Sequence, residues 1–423
     1  MSSSDTFDRQ LDQYITLILK LGLNLQEGQT LVIGPGAPAP VEDIAAFIRN
    51  TAMKAYELGA RDVHVLWNDA ELTRTRLRLA PSDALNDVPM WRVKWLEELS
   101  EQGAAFLNPY APDPDLFSDI DPQRIATAIA AGQRAAARFA EAAAKMRHAW
   151  LVASVATPTW ARKVFPQMPD AEAVDALWRY IFRTTRIDTP DPIQAWRVHL
   201  AQLNQRTAYL NQAHFRGLHY SAPGTNLTVD LPNRHIWISG GSSVNTRGVP
   251  FVPNLPTEEV FTLPQRNGVH GVVRSTMPLN YNGVLIENLA LTFDAGRIID
   301  YTASAGLDAL KSIIETDDGA HYLGEVALVP VGSPVNIGTP VFNTLFDENA
   351  SCHLAIGRAY PICLEGGEEM SQDELAAQGA NSSLTHVDFM IGSAQLDIDG
   401  ETASGERIPV FRAGAWASEV TAP

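Results

Sequence analysis

Apolar residues recur at Leu11, Tyr14, Ile15, Ile18 and Leu19, the spacing of one buried helix face, and Gly22 follows as a candidate helix end. TLVIG at 30–34 is a short, wholly apolar run between Gly28 and the breaker PGAPAP, which reads as a buried strand. Helix then strand returns twice. Ile44, Phe47, Ile48, Ala52, Ala55 and Tyr56 line one face up to Gly59, before DVHVLW at 62–67, and MWRVKWLEELSEQG precedes AAFLN. The Ala-rich stretch from Pro122 to Met146 then leads into WLVASVATP, and helical patterns over 170–184 and 190–211 close this half, the second with Pro192 in its first turn. Repeated helix–strand units with short connections predict an α/β domain over 1–213 around a mainly parallel sheet. The loop GPGAPAP is no dinucleotide fingerprint, because prolines stand where free amides and a helix start are needed.

Beyond Ala213 the period changes from helical to alternating. LTVDLP, HIWISG, VFTLP, VHGVVRST, VLIENLALTF, RIIDYTA and LDIDG are short runs rich in Val, Ile, Thr and Phe, punctuated by Gly, Pro and Asn. They predict a mostly antiparallel, β-rich α+β domain over 214–423, with helical interruptions near 305–316 and 371–378. At 423 residues and 45% hydrophobic content, two such domains can each bury a core.

Charge and cysteine content narrow the chemistry. Lys and Arg number 32 against 49 Asp and Glu, and the net charge of −17 opposes a nucleic-acid partner. No apolar run reaches membrane-span length and the N-terminus lacks a signal pattern, so a soluble cytoplasmic chain without a membrane partner is expected. Two cysteines, Cys352 and Cys363, are too few for a thiolate metal site, which leaves oxygen and imidazole donors.

Those donors cluster in the β-rich half. His386 and Asp388 flank Val387, and strand alternation points both to one face. Glu325 interrupts the apolar run LGEVALVP, where a buried carboxylate requires compensation by a cation or hydrogen bonds. Glu348 and His353 flank NASC, and Glu258 and Glu259 open the run VFTLP. Each has a plainer reading: an edge-strand pair for His386 and Asp388, a solvated turn for Glu348, a hydrogen-bonded core histidine for His353.

Taken together, PNLPTEEVFTLP, the run from GEVALVP through FNTLFDENASCHLAIGRAYP, and HVDFMIG resemble the M29 family of metal-dependent aminopeptidases, of the thermophilic aminopeptidase T type. LGLNLQEGQTLVI and AYELGARDVHVLWND extend the likeness to the opening α/β region. The resemblance implies a metal-dependent exopeptidase that releases N-terminal residues from peptides. It implies Glu259, Glu325, Glu348, His353, His386 and Asp388 as ligands of two divalent ions per chain, of the Zn, Co, Mn or Mg type. Glu258 is the competing choice for Glu259. Tyr360, in GRAYP, matches the family's proposed catalytic tyrosine, and Glu325 is a second candidate for a catalytic role, by bridging the ions or relaying a proton. A homodimer enclosing an internal cavity, with 1–213 as its scaffold, also follows from the resemblance.

The rival reading is oxidative. His353, His386 and Asp388 alone form the 2-His-1-carboxylate set of single-iron oxygenases, and ring-cleaving dihydroxypyridine dioxygenases resemble the same superfamily. Three further carboxylates, Glu259, Glu325 and Glu348, favour two ions and hydrolysis. A non-catalytic protein that binds peptide or metal is the third alternative.

Overall fold

A computed structural model describes residues 3–421 apart from 35, 37, 112, 242, 282 and 283. The chain divides into two compact units, one of Met1–Val198 with Ser242–Pro256, the other of His199–Gly241 with Thr257–Pro423. No helix among the described residues is long and apolar enough to cross a membrane.

The first unit is built on a five-stranded parallel sheet ordered Asp62–Val65, Thr30–Ile33, Ala105–Tyr110, Trp150–Ser154 and Asn254–Leu255. Leu31, Val32 and Ile33 are fully buried, as a sheet covered on both faces requires. Helix Val41–Glu57 buries Ile44, Phe47, Ile48, Thr51 and Ala55, which recur every three or four residues, and Gly59 ends it in the left-handed region at φ 90°. Side-chain caps start other helices: Asp69 accepts from the Leu72 amide at 2.7 Å, and Asp121 accepts from Gln123 at 2.9 Å just ahead of Pro122. The opening helix ends differently from its sequence pattern. Ser3–Leu17 passes into a π turn, Ile18–Gly22, and Asn24 takes the left-handed conformation. Gly22 is there for packing, since a Cβ on it would stand 2.6 Å from a Leu151 methyl. The Ala-rich stretch breaks at Ala136 into Pro122–Ala135 and Ala137–Ala144, and the GPGAPAP loop lies partly outside the described residues.

The second unit contains two large antiparallel sheets and a two-stranded one, Leu279–Tyr281 with Val284–Ile286. Eight strands run in the order Arg297–Thr302, Ala290–Asp294, Val269–Arg274, Thr225–Asp230, Gly217–Ala222, Asp397–Glu401, Arg407–Arg412 and Ala415–Trp416. Five form the other sheet, in the order His386–Met390, His353–Gly357, Leu323–Leu328, Val260–Thr262 and Ile238–Ser239. One hydrophobic cluster joins both sheets to Leu310, Ile313 and Ile314 of helix Leu307–Ile314. The short helix Gln372–Ala377 starts with a capping box between Ser371 and Glu374. A parallel α/β unit followed by a largely antiparallel one is the expected fold class.

Candidate metal centre

Strand register explains how one sheet serves both a core and a site. Residues paired across antiparallel strands share a face. Val326 pairs with Leu354 and Leu354 with Phe389, while Val387 pairs with Ile356. All five belong to the hydrophobic cluster. The opposite face carries Glu325, Ala355 and Asp388 in one row, Gly357 and His386 in the next, and Phe261, Ala327, His353 and Met390 in a third. Between the charged residues this face therefore carries alanine and glycine, which leave space above the sheet. Gly357 is also fixed by its backbone: φ is 107°, and a Cβ would stand 2.3 Å from the Thr385 carbonyl oxygen.

Two three-donor groups form there, Glu259 with Glu325 and His353, and Glu325 with His386 and Asp388, their donor atoms within 4.8 Å of one another in each group. Glu325 belongs to both and divides its oxygens between them. Its Oε1 lies 3.5 Å from His353 Nε2, and its Oε2 lies 3.6 Å from His386 Nε2. Glu259 Oε2 is 3.3 Å from His353 Nε2, and Asp388 Oδ1 is 3.4 Å from His386 Nε2. Donors held about 2.1 Å from one ion at tetrahedral angles stand about 3.4 Å apart. These separations are long for charge-assisted hydrogen bonds and suit atoms facing a common centre.

The ring nitrogens fit the same purpose. His353 Nδ1 lies 3.2 Å from the Ser351 carbonyl oxygen, and His386 Nδ1 lies 2.7 Å from that of Arg358. A carbonyl only accepts, so Nδ1 carries a hydrogen, and Nε2 is the atom that offers a lone pair to a cation once the ring is neutral. Asp388 Oδ1 is buried without a hydrogen-bond partner, which a cation would satisfy. Burial pushes Glu325 above the ordinary carboxylate range, and the nearby Glu259 and Asp388 charges add to the push against the pull of both histidines. Burial alone would lower His386, yet Asp388 and Glu325 outweigh it and raise the imidazole to about 9. This set of residues fits divalent metal.

The other sequence candidates fall around these groups. Glu348, half-buried, lies outside both three-donor groups, but the charges of Asp388, Glu259, His353 and Glu325 all act on it. Glu258 turns away from Glu259's neighbours: its Oε2 is 3.7 Å from His199 Nε2, itself 2.8 Å from the Thr257 carbonyl oxygen. The Tyr360 ring packs edge-on to His386 at 4.9 Å and to Phe261 at 6.3 Å. Burial, then the Glu325 charge, raises the Tyr360 phenol above its usual range, so it remains a hydrogen-bond donor. Asn349, Ala355 and Phe261 also surround this face without having been singled out in the sequence. The alternation of His353, Ala355 and Gly357 was the readable signal for the second; the others are fixed by tertiary contacts.

The model of the thermophilic metalloprotease family M29 matches residues 7–416. The chain belongs to this family. It is 50% identical over 415 residues to Aminopeptidase 2 of Geobacillus stearothermophilus, covering 98% of this chain and 99% of that one. It is 47% identical to Aminopeptidase AmpS of Bacillus subtilis, over 98% and 100% of the two chains. Among solved structures, wild-type AmpT from Thermus thermophilus superposes with a TM-score of 0.90 at 40% identity, covering 97% of this chain and all of that one. M29 membership thus extends over both units.

Proposed function

We propose that the chain is a metal-dependent aminopeptidase in which two divalent ions share Glu325. The observation that carries this reading is the division of the Glu325 oxygens between two three-donor groups on one sheet face. Glu259 and His353 complete one ion's set, His386 and Asp388 the other's, and Glu348 adds a carboxylate beside them. Relatives named aminopeptidases support release of N-terminal residues from peptides.

Bound divalent ions supply Lewis acidity and a water acidic enough to ionise near neutral pH. The chain's own groups do the rest. His353 and His386, held by backbone carbonyls, keep the donor geometry rigid. Tyr360 donates its phenolic hydrogen to the scissile carbonyl oxygen as that oxygen gains negative charge. With both Glu325 oxygens engaged as ligands, Glu348, outside both donor groups, is the carboxylate that carries the proton released from water to the leaving amine. Action in the cytoplasm as a homodimer belongs to the same reading.

Metal analysis and hydrolysis of chromogenic aminoacyl amides with Zn²⁺, Co²⁺ or Mn²⁺ test it. The expected result is two ions per chain and release well above that of an Asp388→Ala control. One iron per chain with oxygen uptake would sink the proposal. Tyr360→Phe should keep both ions and lose about 10²–10³-fold in kcat with KM little changed, the usual effect of removing one oxyanion donor.

A further inference from the structure

Glu325, His353, His386 and Asp388 sit within strands whose backbone ladders fix them. Glu259 and Glu348 do not. Glu259 lies just before Val260–Thr262, and Glu348 follows the single helical turn Thr344–Asp347. The segment that delivers Glu348 comes after a long irregular stretch from 329 to 343. Carboxylates on such segments need another device to hold them within the tolerance of a metal site.

The Asn349 side chain, fully buried, links the two segments. Its Oδ1 accepts from the Glu258 amide at 2.7 Å, one residue before Glu259. Its Nδ2 donates to the Leu345 carbonyl at 2.8 Å and lies 3.4 Å from Glu348 Oε1. Ser333 Oγ donates to the Asn349 carbonyl at 2.8 Å and ties its backbone in turn. A primary amide offers an acceptor at one end and two donors at the other, so one residue can hold a backbone amide and orient a carboxylate together.

We propose that Asn349 is a positioning residue that, through its hold on the Glu258 amide, orients Glu259 and thereby sets the affinity of the ion held by Glu259, Glu325 and His353, leaving the Glu325, His386 and Asp388 ion unaffected. The inference rests on the two-ion reading above. Asn349→Asp is nearly isosteric, but its second oxygen in place of Nδ2 meets the Leu345 carbonyl oxygen and the Glu348 carboxylate, so the side chain turns away and releases the Glu258 amide that anchors Glu259.

The test is a stepwise Co²⁺ titration of metal-free protein, followed by visible absorbance and calorimetry. Wild type takes up ions in two steps. Asn349→Asp weakens one step by about 10–100-fold, the usual effect of disturbing a group that orients a metal ligand, and leaves the other at its wild-type value. The weakened step is the one Glu259→Gln also weakens, not the one affected by Asp388→Asn. Equal weakening of both steps, no weakening, or weakening of the Asp388 step overturns the role of Asn349. Should Asn349→Asp not fold, Ser333→Ala loosens Asn349 through its carbonyl and weakens the same step several-fold; an unchanged titration overturns the proposal. A wild type that binds a single ion overturns the two-ion reading itself, a distinct result.

Discussion

The two units bury polar groups of different kinds. In the first, the buried polar residues are hydroxyls such as Thr51, Ser154, Thr157 and Thr184, with Ser100, Asn245 and His148 among them. They are neutral and bond to neutral partners, as Thr51 does to Phe47 O at 2.8 Å and Ser100 to His148 Nδ1 at 2.6 Å. Every buried carboxylate among the described residues lies in the second unit: Glu258, Glu259, Glu325, Asp347 and Asp388. Three of these, Glu259, Glu325 and Asp388, gather beside one face of one sheet, where burial and like charges raise Glu325 against the pull of His353 and His386. Glu258 turns away toward His199, and Asp347 separates structure from site. Burial raises it to about 7, but its oxygens cap the Val341 and Asn343 amides at 2.7 and 3.1 Å, so it holds a loop and faces no donor group. Buried charge with backbone donors is architecture, and buried charge facing other carboxylates and imidazoles is a site.

The largest effect that would break this contrast comes at Glu325. Glu325→Gln should lose more than about 10³-fold in activity, since one side chain serves both donor groups. The same change should make the metal-free protein more stable than wild type, because a carboxylate raised by burial and by like charges destabilises the fold at neutral pH. Urea unfolding of the metal-stripped variants measures this. A metal-free Glu325→Gln less stable than wild type would mean that the cluster is held together without a cation, as the first unit's polar groups are.

Next in size is Ala355, which stands between Glu325 and Asp388 in register and carries no chemistry of its own. Ala355→Leu should fill the space between the two carboxylates, reduce metal content and lower activity by about 10²–10³-fold. Secondary structure by circular dichroism should stay unchanged, since the other face of the strand still feeds the core. Full metal occupancy in this variant would show that the small residues on this face are incidental.

Much of this is legible in the sequence. The parallel strands announced themselves as apolar runs, TLVIG among them, and the helix pattern over 170–184 matches the helix Asp170–Thr184. His386 and Asp388 were readable as a same-face pair because strand alternation is strict. What could not be read depends on long-range pairing. Asn254–Leu255 joins the first unit's sheet with only two residues, too few to leave a periodic pattern. Gly217–Ala222 and Arg407–Arg412 mix His, Ser and Arg with apolar residues and show no clean alternation. The contact between Asn349 and Glu258 spans ninety-one positions, and no local signal announces it. Glu258 and Glu259, adjacent and chemically identical, are told apart only by which neighbour each side chain meets.

The smallest expected effect is one in which the two units should behave alike. Each contains a histidine whose burial lowers its pKa to about 4, His148 in the first and His235 in the second, the latter also depressed slightly by His214. Above about pH 6.5 both are neutral whether folded or unfolded, and neither contributes to the pH dependence of stability. Below that value the unfolded chain takes up protons that the folded chain refuses until about pH 4. Stability therefore falls with acidification across this window, by up to about 3 kcal/mol for each histidine. His148→Gln and His235→Gln should each flatten the loss between pH 6.5 and 4 by a similar amount, read from urea midpoints of metal-free protein. If only His235→Gln flattened it, the acid response would belong to the carboxylate-bearing unit alone. The neutral interior of the first unit would then differ from the second in more than its lack of buried carboxylates.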